Sequence, residues 1–188
     1  MPKALKITFI AVSLVVPVVL LVWFGGELLE PLFLDKSVII SEIDEPGARA
    51  STGKKAPYFE LSDINGTRVY FSDFDNTPLI LTFWATWKDD AADQIKIFDD
   101  YSSRNTQGLF RIVTVNSQED KSAVGAFVRR GNYDVPVLLD RAGAVGKAYG
   151  IETLPTSFFI GRDGIIMEAY TGIMSEAMII NKSEQILR

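Results

Sequence analysis

Apolar positions divide the chain into one long uncharged span, several strand-length runs and a few helical stripes. The span comes first. Lys3 and Lys6 precede Ile7 to Phe24, which carries no charge and only Thr8, Ser13 and Pro17 as interruptions. A helix of that length covers about 27 Å, close to the ~30 Å hydrocarbon core of a bilayer. The densest later run is Leu79 to Trp84, nearly all apolar and rich in strand formers, which suits a central strand buried on both faces. Tyr58 to Leu61 and Arg68 to Phe71 flank Asn65-Gly66, predicting a hairpin with a type I′ turn.

Helical periodicity follows the central run. Ala91, Ile95, Phe98 and Tyr101 fall on one face, and Asp89-Asp90 sit where a first turn favours acids. Arg111 to Asn116 predicts a second parallel strand, and Glu119 to Arg130 a helix ended by Gly131. Val135 to Asp140 predicts a short strand, and Ala144 to Tyr149 a short helix stopped by Gly150. Ser157 to Ile160, a turn at Gly161 to Gly164, and Ile165 to Thr171 predict a closing hairpin, with Ser175 capping a last helix. Alternating strands and helices followed by a hairpin and a helix predict an α/β fold, a mixed β-sheet with helices on both faces.

Three stretches carry a family likeness. Phe83-Trp84-Ala85-Thr86-Trp87 before a helix resembles the active-site strand of membrane-anchored thioredoxin-like proteins of the redoxin-like TlpA/ResA type. Ala-Pro-Tyr-Phe-Glu-Leu with a following Asn-Gly resembles the opening hairpin of that family, and Leu154-Pro155-Thr156 resembles its cis-proline loop. The resemblance covers Ala56 to about Arg188 and implies a thioredoxin-like fold with a cis Pro155 facing the active-site turn. It also implies thiol–disulfide exchange by a Cys-x-x-Cys pair. Here those four positions read Lys88-Asp89-Asp90-Ala91, and the chain contains no cysteine. Exchange needs an attacking thiolate and a second sulfur, and neither lysine nor alanine replaces them.

The expected organisation is therefore a cytoplasmic N-terminus (1–6), a transmembrane anchor (7–24), a linker (25–56) and a thioredoxin-like domain (57–188). The paired lysines place the N-terminus in the cytoplasm and the domain on the extracytoplasmic side of the cytoplasmic membrane. A cleaved signal peptide is the competing reading. Cleavage wants small residues, and cuts after Gly25 or Gly26 place Trp23 or Phe24 at the critical third position, so an uncleaved, single-pass anchor is expected.

Composition removes several chemistries. A net charge of −5 argues against a nucleic-acid surface. With no histidine, a Ser-His-Asp triad and an ordinary zinc site are excluded. Asp89, Asp90 and Asp93 do not converge at helical spacing, so no metal is expected, and no cofactor. Lys88 has acidic neighbours that favour its charged form, so it is read as a solvated lysine rather than a nucleophile. Trp84 is read as core, and Trp87 as either packing or site. By resemblance the candidate binding residues are Trp84, Trp87, Lys88, Leu154, Pro155 and Thr156. Peptide capture there needs backbone and a groove, without sulfur. The expected function is a redox-inactive extracytoplasmic domain that binds a protein or peptide partner in or near the membrane. Its rivals are a thiol–disulfide oxidoreductase of cytochrome maturation or envelope redox control, and a structural subunit of a membrane complex.

Overall fold

The computed structural model describes residues 50–104 and 108–187. The expected anchor and most of the expected linker lie outside these residues; among the described residues no helix is long and apolar enough to cross a membrane.

The elements are β1 (Glu60–Asp63), β2 (Arg68–Tyr70), a 3₁₀ turn (Phe71–Phe74), β3 (Leu79–Trp84), α1 (Ala91–Arg104), β4 (Arg111–Ser117), α2 (Lys121–Gly131), β5 (Val137–Asp140), α3 (Ala144–Ala148), β6 (Thr156–Ile160), β7 (Ile166–Thr171) and α4 (Glu176–Ile186). They build one mixed sheet in the order β2-β1-β5-β4-β3-β6-β7. β3 runs parallel to β4 and antiparallel to β6, and β4 runs parallel to β5. The central strand is β3, and every one of its residues is buried. Its side chains alternate between two cores, as the pleat requires. Ile80 and Trp84 join the cluster under α1, α2 and α4, while Leu79, Leu81 and Phe83 join the one under α3 and the 3₁₀ turn.

The second core holds Phe83, Tyr149 and Phe158 in mutual edge and tilted contacts, with centroids 5.0 to 6.0 Å apart. Burial pushes the pKa of the Tyr149 phenol well above its ordinary value, so it keeps its proton and donates a hydrogen bond to the Pro57 carbonyl at 2.9 Å. Residues 50–56, expected as the end of the linker, are tied to this body. Ala50 N–H donates to Ala148 O, Gly53 N–H to Ile166 O, and Ala56 N–H to Gly164 O.

Three local expectations are corrected. The first hairpin is not a two-residue type I′ turn. Gly66 takes φ +100° but Asn65 does not enter the left-handed region. The Asp63 carboxylate instead gathers the N–H groups of Asn65, Gly66 and Thr67 at 2.7 to 2.8 Å, and that cage shapes a wider turn. The second helix does not stop at Gly131, which is still helical. Asn132 is the left-handed cap, at φ 52°, because an asparagine tolerates that region almost as a glycine does. Finally, α1 begins at Ala91, so Asp89 and Asp90 occupy the preceding turn and Asp93 is the acid of the first helical turn. Strand and helix ends otherwise shift by a residue or two. Ser175 caps α4 as expected, its hydroxyl accepting from Met178 N–H at 3.3 Å.

Asp63 carries a pH consequence. Burial by itself raises its pKa, but the backbone donors of Thr67, Asn65 and Gly66 outweigh it and hold the carboxyl below its ordinary 3.8. A depressed folded pKa contributes stability that is complete above the unfolded value and is lost as pH falls through the folded one. Asp63→Ala is expected to cost about 1 kcal/mol at neutral pH and to flatten the fall of stability below pH ~4. Urea melts of both proteins across that range test this, and parallel curves would contradict it.

Candidate functional site

Strand β3 ends at Trp84, and the chain then turns through residues 85–90 into α1. Lys88 N–H donates to Ala85 O at 3.3 Å, Ala91 N–H to Lys88 O at 3.0 Å, and Gln94 N–H to Asp90 O at 3.1 Å. The two positions where the family resemblance places cysteines thus close one tight turn. They differ in exposure: Ala91 is 5% exposed, whereas Lys88 is half-buried at the surface.

Glu119 braces this turn from the loop after β4. Its carboxylate accepts from Thr86 N–H at 2.6 Å, from the Thr86 hydroxyl, and from Asn116 Nδ2 at 2.7 Å. Asn116 lies beside Trp84 in the β3–β4 register, so one carboxylate joins both strand ends to the turn. Gln94, 1% exposed on α1, does a similar task below. Its Oε1 accepts from Met174 N–H at 2.7 Å, locking the helix to the segment that leads into α4. Sequence reasoning missed both. Each looks like an ordinary polar helix residue, and only the fold brings its distant partner into reach.

The loop before β6 lies across the turn. The Leu154–Pro155 bond is cis, as expected. The Pro155 carbonyl accepts from Gly172 N–H at 2.9 Å, and the Thr156 hydroxyl donates to Thr153 O at 2.7 Å. An open groove of about 1020 Å³ is lined by Trp87 and Lys88 of the turn, by Thr153 and Leu154 of the loop, and by Asp140, Gly143 and Gly146 towards α3. Its far wall is shaped by missing side chains: Gly143 takes φ +70°, and a Cβ there would meet the Gln118 side chain at 2.5 Å.

The six candidate residues therefore separate. Trp87, Lys88 and Leu154 line the groove; Pro155 and Thr156 follow Leu154 in the chain but are not among its lining residues. Trp84 is 1% exposed and stacks obliquely on Phe127 at 5.1 Å, a core residue as expected. Its Nε1 is buried without a hydrogen-bond partner, as is Asn116 Oδ1 on the neighbouring strand. Trp87 is 65% exposed, with Lys88 Nζ 5.8 Å from its ring centroid. Among the described residues no group of acidic side chains is arranged to hold a metal.

A seven-stranded mixed sheet, a cis-proline loop and a turn at the end of the central strand together define a thioredoxin-like protein. The chain belongs to the AhpC/TSA family, whose model matches residues 52–169. It is 37% identical over 130 residues to the thiol-disulfide oxidoreductase ResA of Bacillus subtilis (strain 168), covering 69% of this chain and 72% of that one. Among solved structures, a thiol-disulfide oxidoreductase from Bacteroides fragilis NCTC 9343 matches with TM-score 0.62 and 25% identity, over 70% of this chain and 99% of that one. StoA from Bacillus subtilis shares the fold, with TM-score 0.61 and 24% identity over 68% and 97% of the two chains. The chain is thus a thioredoxin-like member of a thiol–disulfide oxidoreductase family that lacks cysteine altogether.

Proposed function

We propose that this protein is a redox-inactive thioredoxin-like domain, held by an N-terminal anchor on the extracytoplasmic side of the cytoplasmic membrane, that binds a protein or peptide partner. The observation that carries this reading is the coexistence of an intact groove with a reactive turn that holds no sulfur. Lys88 and Ala91 occupy the turn, and no residue elsewhere in the chain supplies a thiolate. The groove, the cis-proline loop and the exposed Trp87 need no sulfur to hold an extended segment, because backbone hydrogen bonds and an aromatic anchor suffice for that. The extracytoplasmic placement rests on Lys3, Lys6 and the uncharged span from Ile7 to Phe24.

Two measurements on the full chain test the reading. Insulin reduction with dithiothreitol should proceed at the uncatalysed rate; any enhancement that persists in Lys88→Ala would overturn the redox-inactive half. A photoreactive residue introduced at Trp87 or Thr153 should give a defined protein adduct in native membranes, while one at Asn65, on the first hairpin, gives none. Equal labelling from all three positions would overturn the docking half.

A further inference from the structure

β7 is the last strand on its side of the sheet, and part of its outer edge is already used. Ile166 N–H donates to Lys54 O at 2.9 Å, and Ile166 O accepts from Gly53 N–H at 2.8 Å, so the chain entering the domain holds the strand's first residue. Beyond that residue the edge is open. Gly172 N–H turns inward to Pro155 O at 2.9 Å, and backbone groups alternate sides along an antiparallel strand. Tyr170 and Glu168, opposite Ser157 and Phe159, therefore also bond inward. The N–H and C=O groups of Ala169 and Thr171 point outward, and among the described residues none of them has a backbone partner. A bare edge of this kind is a template for another strand. The usual guards are thin here. Ala169 and Thr171 are exposed and uncharged, and the bulge at Met167 lies before this stretch.

A second copy of the chain fits this edge in one register. When Ala169 exchanges both backbone bonds with Thr171 of the other copy, the twofold axis passes beside Tyr170. The paired Tyr170 side chains then become cross-strand neighbours. The same register sets Met167 opposite Ile173 of the other copy. These large apolar residues are 46% and 39% exposed, and the pairing covers both. No like charges are opposed on the strands. Glu168 comes opposite Gly172, and Lys182, whose ammonium lies 5.2 Å from the Tyr170 ring centroid, is already paired with Glu168. We propose that this edge joins a second copy of the chain, β7 against β7, into one continuous sheet. The interface is independent of the groove, which none of these residues lines.

The lack of cysteine lets single substitutions read the register. Full-length Ala169→Cys and Thr171→Cys proteins, differently tagged and co-expressed, should crosslink to one another in membranes under mild oxidation, because residues paired in this way have Cα atoms about 5.5 Å apart. Each should crosslink to itself far less, and Asn65→Cys on the first hairpin should give no product. In detergent, the wild-type full chain should sediment as a concentration-dependent dimer. Ala169→Pro removes only the outward N–H and should raise the dissociation constant by roughly thirtyfold, as expected for a pair of lost backbone hydrogen bonds. Ala169→Lys brings two ammoniums close to the axis and should weaken the dimer as well. Unchanged circular dichroism in both variants shows that the fold is kept. Sedimentation of the wild type as a monomer at every concentration would overturn the inference. So would mixed crosslinking no stronger than self-crosslinking, or adducts formed only with a different protein.

Discussion

The double variant Lys88→Cys/Ala91→Cys is expected to form an intramolecular disulfide under mild oxidation and to acquire weak insulin reductase activity from a background of none. The turn makes this a geometric expectation. Ala91 N–H donates to Lys88 O at 3.0 Å, and a turn closed in this way holds its end Cα atoms within roughly 7 Å. Disulfides span about 4.4–6.8 Å between Cα atoms. Exposure is graded in the useful direction. A sulfur at the half-buried first position is open to attack, and one at the 5% exposed second position is sheltered until it resolves the mixed disulfide. The free N–H groups at the start of α1 favour a thiolate. Asp89 and Asp90 oppose it, so replacing both with asparagine in the double variant should raise activity by a few-fold to about tenfold. Mass spectrometry of the oxidised protein reports the bond directly. Cysteines that remain reduced, or that pair only between molecules, would show that the turn does not bring these positions together.

Glu119→Ala should loosen the turn and cost about 2 kcal/mol of stability. The carboxylate accepts three hydrogen bonds, from two groups of Thr86 and from Asn116. Bonds to an ionised acceptor are each worth more than neutral ones, but Glu119 is only half-buried and water replaces part of the loss. Asn116 would suffer most, since its Oδ1 is already buried without a partner and its Nδ2 would lose its acceptor. Glu119→Gln keeps one acceptor oxygen and should cost about 1 kcal/mol. Denaturant melts give both values. A change below about 0.5 kcal/mol in Glu119→Ala would mean that the brace contributes nothing beyond what solvent supplies.

Much of the fold is legible in local pattern. The unbroken run Leu79 to Trp84 is buried along its whole length, because a strand with helices over both faces has no solvent side to require a polar residue. The stripe Ala91, Ile95, Phe98 faces the core, since helical period places those residues on one side. Ser175 could be identified as a cap because its oxygen bonds within its own turn. The absence of sulfur and of histidine, and with it the loss of thiol and triad chemistry, follows from composition alone. These properties depend on residue type and on neighbours within about one helical turn.

What only the tertiary structure decided depends on residues far apart in the chain. The first hairpin is the exception, decided within four residues, where the Asp63 carboxylate outcompeted the Asn-Gly geometry for three N–H groups. Glu119 reaches back 33 positions to Thr86, and Gln94 reaches 80 positions to Met174. No periodicity encodes such pairs, because their geometry exists only after the sheet has set its strand order. The groove is of the same kind. Trp87 and Lys88 share the groove with Leu154 and Gly143 because β3 and β5 end, and the antiparallel β6 begins, at the same end of the sheet. Lys88 read as a lysine among aspartates; that it makes no ion pair among the described residues, and that its ammonium lies near the Trp87 ring, are facts of three-dimensional placement.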